Sequence, residues 1–143
     1  MYTKQVSVFL ENRRGRLAEV TQLLADDGID IRALSMGDML DFGVLRMVVN
    51  DANRCLGILR AHHFVAQETD VVAVEMEDRP GGLHRIIKPL DREGINIEYL
   101  YAFCEKSSDK AIVVFKMDDA ARAVEVLNKA GISVVPDSKI QSL

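Results

Sequence analysis

The 143-residue chain contains no tryptophan, only two cysteines and three prolines, and 6% aromatic residues. Cys55 and Cys104 are too few for a disulfide framework or for a metal site of four cysteines. No apolar run approaches the roughly 18–20 residues that cross a bilayer, and the first residues lack the apolar segment of a signal peptide. These absences predict a cytoplasmic protein without a membrane partner.

A basic surface is also missing from the composition. Lysine and arginine total 18 against 22 aspartate and glutamate residues, which gives a net charge of −4. Because nucleic-acid binding needs a basic patch, we expect no nucleic-acid partner. The chain shows no Ser/His/Asp or Cys/His pattern of nucleophilic catalysis, so we expect neither an enzyme nor a cofactor. Its 48% hydrophobic and 28% charged residues are typical of a folded protein.

What the chain does contain is an internal repeat. An offset of 66 residues gives eleven identities over the 29 positions from Val6 to Leu34. Further along, the offset becomes 68 and pairs Asp51 with Asp119 and Leu59 with Leu127. A duplication of this kind predicts two domains, residues 1–69 and residues 70–143.

Both copies show the same alternation of strand and helix patterns. The strands are predicted at Val6–Leu10, Ile29–Met36, Val44–Val49 and Phe64–Ala66, and at Val72–Met76, Ile95–Phe103, Ala111–Met117 and Ile132–Val135. Helical stripes follow the first strand, as Leu17, Val20, Thr21 and Leu24 and as Leu83, Ile86, Ile87 and Leu90. The order is βαββαβ twice. This predicts an α+β fold of two tandem ferredoxin-like domains, with antiparallel sheets, helices on one face and the two sheets joined side by side.

Helix ends are marked by specific residues. Gly28 and Gly94 stand where a glycine ends the first helix of each copy. Asp51 in the first copy, and Asp118 or Asp119 in the second, are candidate N-caps of the second helix. Pro89 lies within a helical stripe and predicts a bend there.

A glycine-containing loop joins the first strand to the first helix in both copies, as ENRRGR and EDRPGG. Its glycines, Gly15 and Gly81, would let the backbone approach a ligand, and the helix amides would face a carboxylate. A purely structural interpretation remains open, in which the glycines serve the turn while Asn12 and Asp78 cap the helix.

The segments ENRRGRL with GIDI, and EDRPGGL with GINI, resemble two copies of the ACT domain, a βαββαβ module that binds small molecules. The resemblance covers the whole chain, and the first copy departs from the family pattern by having Arg14 where proline is usual. It implies a regulatory protein that senses an amino acid between its two domains, and that forms a homodimer or docks on an enzyme of amino-acid metabolism. An alternative within the same resemblance is a regulatory subunit of an acetohydroxyacid-synthase-type enzyme.

The resemblance also implies a set of ligand-binding residues. They are Asn12, Arg14, Gly15, Leu17, Asp30 and Ile31 in the first copy, and Asp78, Pro80, Gly81, Leu83, Asn96 and Ile97 in the second. Crossing the copies pairs Asn12 with Asn96, and Asp78 with Asp30. Since amides both donate and accept hydrogen bonds, whereas ionised carboxylates only accept, we expect the asparagine pair to form the competent amino-acid site.

The arginines of the loop and the three histidines allow further interpretations. An acylphosphatase-like enzyme would use an arginine of this same loop, and Arg13, Arg14 and Arg79 are the candidates. His62 and His63 fit the end of the second helix better than a metal site, because a cation is favoured at a helix C-terminus. His84 lies beside the second loop, where it could either contact a ligand or be exposed.

Overall fold

The computed structural model describes residues 2–38, 41–104 and 109–142, with Asp38 and Cys104 described by their backbone only. The elements follow the chain in this order: β1 (Thr3–Glu11), α1 (Arg16–Asp26), β2 (Ile31–Asp38), β3 (Phe42–Val49), α2 (Ala52–Ala61), β4 (Val65–Glu77), α3 (Gly82–Arg92), β5 (Ile97–Cys104), β6 (Lys110–Met117), α4 (Ala120–Lys129), β7 (Val134–Val135) and α5 (Asp137–Gln141). No helix in these described ranges has the length and apolar character needed to span a membrane.

Internal contacts divide the chain into two units. The N-terminal unit is Lys4–Thr69, and the C-terminal unit is Asp70–Leu143 together with Met1–Thr3. Strand β4 contains the division, because its residues up to Thr69 belong to the first unit and those from Asp70 to the second.

The N-terminal unit has an antiparallel sheet with helices on one face. Strand β3 pairs with β1 on one side and with β2 on the other. Alternate residues of β1, namely Val6, Val8 and Leu10, are fully buried in a core shared with residues of α1 and α2, as the sequence alternation predicted. The core side chains that these helices contribute are Val20, Leu24, Cys55 and Leu59.

The C-terminal unit repeats this plan with its own core. Strand β6 pairs with β4 and with β5, and β7 adds a short pairing on the other side of β4. The core brings Val72 and Val74 of β4 against Ile86 and Leu90 of α3, with residues of α4. The predicted α+β fold with two βαββαβ copies is confirmed.

The predicted capping residues are found at the ends of the helices. Asp51 and Asp119 are the N-caps of α2 and α4, and their side chains accept hydrogen bonds from the backbone N–H groups of Arg54 and Arg122. At the other end of α1, Gly28 has φ 70°, its N–H donates to Ala25, and the N–H of Ile29 donates to Leu24. This is the Schellman arrangement, and it recurs after α2, α3 and α4.

Several boundaries differ from the sequence prediction. The predicted strand Phe64–Ala66, without Phe64, and the predicted strand Val72–Met76 both belong to the single strand β4, because no turn-forming residue interrupts it. Strands β2 and β5 begin two residues later than predicted, since Ile29 and Ile95 are used in the helix-ending hydrogen bonds. Helix α3 continues through Pro89, and the short helix α5 was not predicted.

Candidate functional site

The strand–helix loop has the same backbone geometry in both units. Gly15 and Gly81 are the N-caps of α1 and α3, and both adopt the left-handed conformation, with φ of 92° and 87°. A side chain is strained at such φ values, which is why glycine stands at both positions. The loop is therefore shaped by its backbone, independently of the side chains that differ between the copies.

Backbone N–H groups in the first turns of α1 and α3 have no hydrogen-bond acceptor among the described residues. The N-caps of α1 and α3 are Gly15 and Gly81, which have no side chain to accept a hydrogen bond, and not Asn12 and Asp78 as in the structural interpretation of the loop. In the described residues, the N–H groups of Leu17 and Leu83 have no hydrogen-bond acceptor. Such amides at a helix N-terminus favour a negatively charged group.

The two predicted parts of the ligand site lie at opposite ends of the sheet within one unit. The N–H of Asn12 donates to the carbonyl of Asp41, just before β3, while the N–H of Asp30 donates to Asn50, just after β3. Asp78 and Asn96 repeat these contacts, with Asp109 and Asp118. Since β3 spans eight residues, the two ends are roughly 25 Å apart at about 3.3 Å per residue. One unit alone cannot bring both parts to the same ligand.

The predicted site residues differ in how far they are exposed. The side chains that open each helix stripe, Leu17 and Leu83, are 45% and 36% exposed instead of buried as the stripe predicted. Exposed residues of the set also include the polar positions Asn12, Asp30, Asp78 and Asn96, the loop residues Arg14 and Pro80, and both loop glycines. Ile31 and Ile97 are half-buried against the two cores.

Strands β2 and β5 each pair with one neighbour, β3 and β6 respectively, in the part of the chain that the structure describes. Apolar side chains on them stay exposed: Leu34 by 56%, Met36 by 45% and Leu100 by 38%. An unpaired strand edge with apolar side chains is a template for association with another chain.

Some charged side chains in and near the two loops form ion pairs with neighbouring residues. Arg13 forms an ion pair with Glu11 at 3.1 Å, and Arg79 forms the equivalent pair with Glu77. Arg14, the third candidate of the acylphosphatase interpretation, is exposed. Asp30 is paired with Arg32 at 3.1 Å, so its carboxylate is balanced by a cation rather than left to repel a ligand carboxylate.

The histidines lie near helix ends. No group of three or more potential ligands occurs among the described residues. His62 is the C-cap of α2, and its Nδ1 lies 3.0 Å from the carbonyl oxygen of Ile58. His84 is exposed in the first turn of α3.

The two copies differ sharply at one position that the sequence analysis did not select. Arg16 begins α1, and its guanidinium lies 4.8 Å from the centre of the Phe64 ring and 2.8 Å from Glu19. In the second copy the equivalent residue is Gly82, and a cavity of about 120 Å³ opens beside it. The signal that could have found this difference is the replacement of arginine by glycine between the aligned copies.

A comparison with protein families shows the family to which the chain belongs. A family model described as an ACT domain pair matches residues 1–143. The chain belongs to the ACT domain pair family. The ACT domain pair is a regulatory module, and the resemblance seen in the two loops is thereby confirmed over the whole chain. No curated protein matches the chain.

Solved structures agree with this fold. Protein BT0572 from Bacteroides thetaiotaomicron is 36% identical to the ACT pair chain, with a TM-score of 0.93, and the match covers 100% of this chain and 98% of that one. The regulatory subunit of aspartate kinase from Thermus thermophilus is 20% identical, with a TM-score of 0.65 and coverage of 89% and 91%. The corresponding subunit from Thermus flavus has a TM-score of 0.62 at 20% identity.

Proposed function

We propose that this ACT pair is a non-catalytic regulatory protein that binds an amino acid and controls an enzyme of amino-acid metabolism. The observation that carries the proposal is the duplicated loop. In both copies it presents an exposed polar residue, a left-handed glycine, an exposed leucine and unpaired helix amides. These groups suit the carboxylate and the apolar part of an amino acid.

The ligand would sit between two ACT units. The loop and the start of the second strand lie at opposite ends of a unit, so a complete site needs the loop of one unit and the strand start of another. An antiparallel approach of two edge strands reverses their ends and would bring Asn96 of one unit beside the loop of its partner. The partner unit is supplied either by the same chain or by a second copy.

A second copy is favoured by the exposed edges. Leu34 and Met36 on β2, and Leu100 on β5, would be covered when edge strands pair. We therefore propose a homodimer that is tightened by the amino acid, because a ligand that contacts both partners stabilises their association by mass action. Sedimentation velocity with and without the amino acid tests this step, and a monomer at all concentrations would contradict it.

A thermal-shift screen of the twenty amino acids tests the binding proposal. An amino acid present at about 100 times its Kd adds about 2.7 kcal/mol of stability and raises the melting temperature. A small subset of amino acids should produce this rise, without turnover of an acyl phosphate. If none does, and calorimetry also detects no binding, amino-acid sensing is refuted.

Three variants test which of the predicted polar residues bind the amino acid. We propose that Asn12 and Asn96 hold the amino acid, so Asn12→Ala and Asn96→Ala should each weaken binding by about tenfold, the value of one strong hydrogen bond. Asp78→Ala is the control in the other loop and should change the affinity less than twofold. Equal losses in the Asn12 and Asp78 variants would refute the asymmetry between the sites.

The enzyme that this protein controls is proposed only as a class. The aspartate-kinase regulatory subunits are similar in fold, at 20% identity, and an enzyme of amino-acid biosynthesis whose product is the bound amino acid is the natural target. Inhibition or activation of such an enzyme by the added ACT pair, dependent on the amino acid, would support this. An effect that is the same without the amino acid would oppose it.

A further inference from the structure

The C-terminal unit contains a polar groove that begins at Pro80 and Gly81 of the second loop and continues beyond the proposed amino-acid site along β4 and α3. Two adjoining cavities, of about 120 Å³ each, share the lining residues Glu75, Met76, Glu77 and Arg85. One extends along the loop to Gly82, and the other extends to Lys110 and Ser133. The shared lining makes them two parts of one groove beside the start of α3.

The first copy has different residues at two positions of this groove. There the guanidinium of Arg16 lies against the ring of Phe64 and pairs with Glu19. In the second copy Arg16 is replaced by Gly82, and Glu19 is replaced by Arg85. The second copy therefore lacks this ion pair, and a positive charge stands where the glutamate was.

The other lining positions change in the same direction. Aligned by the repeat, Phe9, Phe42 and Val65 of the first copy become Glu75, Lys110 and Ser133. The three first-copy side chains are exposed and apolar, at 40%, 51% and 67%. The second copy has therefore made this surface polar and charged, which is the composition of a site for a charged small molecule.

Both carboxylates of the groove are already balanced. Glu75 is 18% exposed and forms ion pairs with Lys110 and with Lys139, the latter at 2.9 Å. Glu77 is paired with Arg79. Arg85 has no ion-pair or side-chain hydrogen-bond partner in the described residues, although it lines both parts of the groove. Arg79, Arg85 and Lys110 line the groove together with Glu75 and Glu77, so the lining has more positive than negative side chains and favours an anion.

We propose that this groove binds a small oxyanion carrying two negative charges, a phosphate or a dicarboxylate, with Arg85 as its principal partner. A guanidinium holds two oxygens of such a group through parallel hydrogen bonds. Lys110, which pairs with Glu75, also lines the groove and adds positive charge for the ligand. The cavity volume limits the ligand to a few heavy atoms around the anionic group. The groove shares Pro80 and Gly81 with the second loop, whereas Arg85 and Lys110 lie outside the proposed amino-acid site.

Titration of the full chain, followed by ¹H–¹⁵N NMR, tests the proposal. Inorganic phosphate and succinate are added in separate arms, with sodium chloride holding the ionic strength constant. We expect saturable shifts of Gly81, Gly82 and the Arg85 side chain. Saturation by phosphate alone, by succinate alone or by both supports the site and identifies its anion. Shifts that sodium chloride reproduces, or that never saturate in either arm, overturn the proposal.

Three substitutions make the test specific. Arg85→Gln should weaken binding by about tenfold or more, because a charge-assisted pair is lost. Arg92→Gln removes the same residue type from the other end of α3 and should change the affinity less than twofold. Lys110→Gln should weaken it severalfold and serves as the second variant, with cooperative unfolding as the check on folding. Equal effects of the Arg85 and Arg92 changes would mean general charge attraction and would overturn the site.

This outcome is separable from that of the proposed function. An amino-acid response that survives in the Arg85→Gln variant, together with lost phosphate or succinate binding, supports two sites. Loss of the amino-acid response in all proteins leaves the oxyanion result standing by itself.

Discussion

His63 at the end of α2 has φ 65°, and Gly131, its counterpart at the end of α4, has φ 72°. Both residues occupy the left-handed position of a Schellman motif, in which the next residue donates back to Leu59 or to Leu127. Three of the four long helices thus end in glycine and one ends in a residue with a side chain.

We predict that His63→Gly stabilises the protein. Glycine adopts a positive φ without the steric cost that a side chain brings, so we expect a gain of about 0.5–1 kcal/mol in the free energy of unfolding. Chemical denaturation measures it. The reciprocal change Gly131→His should cost a similar amount, and a loss of stability on His63→Gly would contradict the prediction.

We predict that Gly82→Ala is strongly destabilising. A Cβ at Gly82 would overlap the carbonyl oxygen of Glu77, which is backbone and cannot move aside. We expect a loss of roughly 2–3 kcal/mol, as for overpacking in a core. The control is Gly57→Ala in α2, where no atom lies within 4 Å of the added Cβ. It should gain about 0.5–1 kcal/mol from helix propensity, and equal effects at the two glycines would refute the reasoning.

We predict that Glu75→Gln destabilises the protein above pH 5 and has little effect in acid. Hydrogen bonds from Lys110 and Lys139 hold the pKa of the Glu75 carboxyl below its usual range. The carboxylate therefore contributes stability above its unfolded-state pKa of about 4.3, and this stability is lost as the pH falls through the folded-state value. The loss at pH 7 should be about 1 kcal/mol.

The matched control for Glu75 is Glu93→Gln. Glu93 pairs with Arg122 at 3.2 Å, and both side chains are about half exposed. We expect a change below about 0.5 kcal/mol there. A larger loss at Glu93 than at Glu75, or a loss at Glu75 that is undiminished at pH 3, would contradict the prediction.

We predict that Cys55 makes stability decrease in alkali. Burial raises the pKa of the Cys55 thiol from 9.0 to about 11, with a smaller contribution from the charge of Asp51. The folded state holds the proton more tightly, so the contribution is complete below pH 9 and is lost as the pH rises to 11. Over this window the native protein should lose about 2–3 kcal/mol relative to Cys55→Ala. Denaturation at pH 8 and pH 11 measures it, and a constant difference between the two proteins would refute it.

Patterns that act within a few residues allowed most of the fold to be predicted from sequence. The alternation of Val6, Val8 and Leu10, the caps Asp51 and Asp119 and the final glycines Gly28 and Gly94 each depend on neighbours in the chain. The repeat then showed each of these patterns twice, which strengthened the prediction. Strand β4 was divided wrongly because its continuity depends on pairing with other strands, which a local pattern does not contain.

The candidate site could be predicted less completely. The loop glycines and Leu17 were found because the two copies share them, whereas the groove beside Gly82 arises where the copies differ. Its walls come from Glu75, Arg85 and Lys110, which are far apart in the chain and meet only through strand register. A search for shared residues could not select them.

The division within the protein has a consequence for work with gene fragments. Tyr2 packs against the core of the C-terminal unit, and β4 carries residues of both units. A fragment that begins at residue 70 would encode most of that unit but would omit an aromatic ring from its core. The boundary of the ancestral duplication is therefore not a boundary at which the present-day protein can be cut cleanly, because the C-terminal half has come to depend on a residue encoded before the first one.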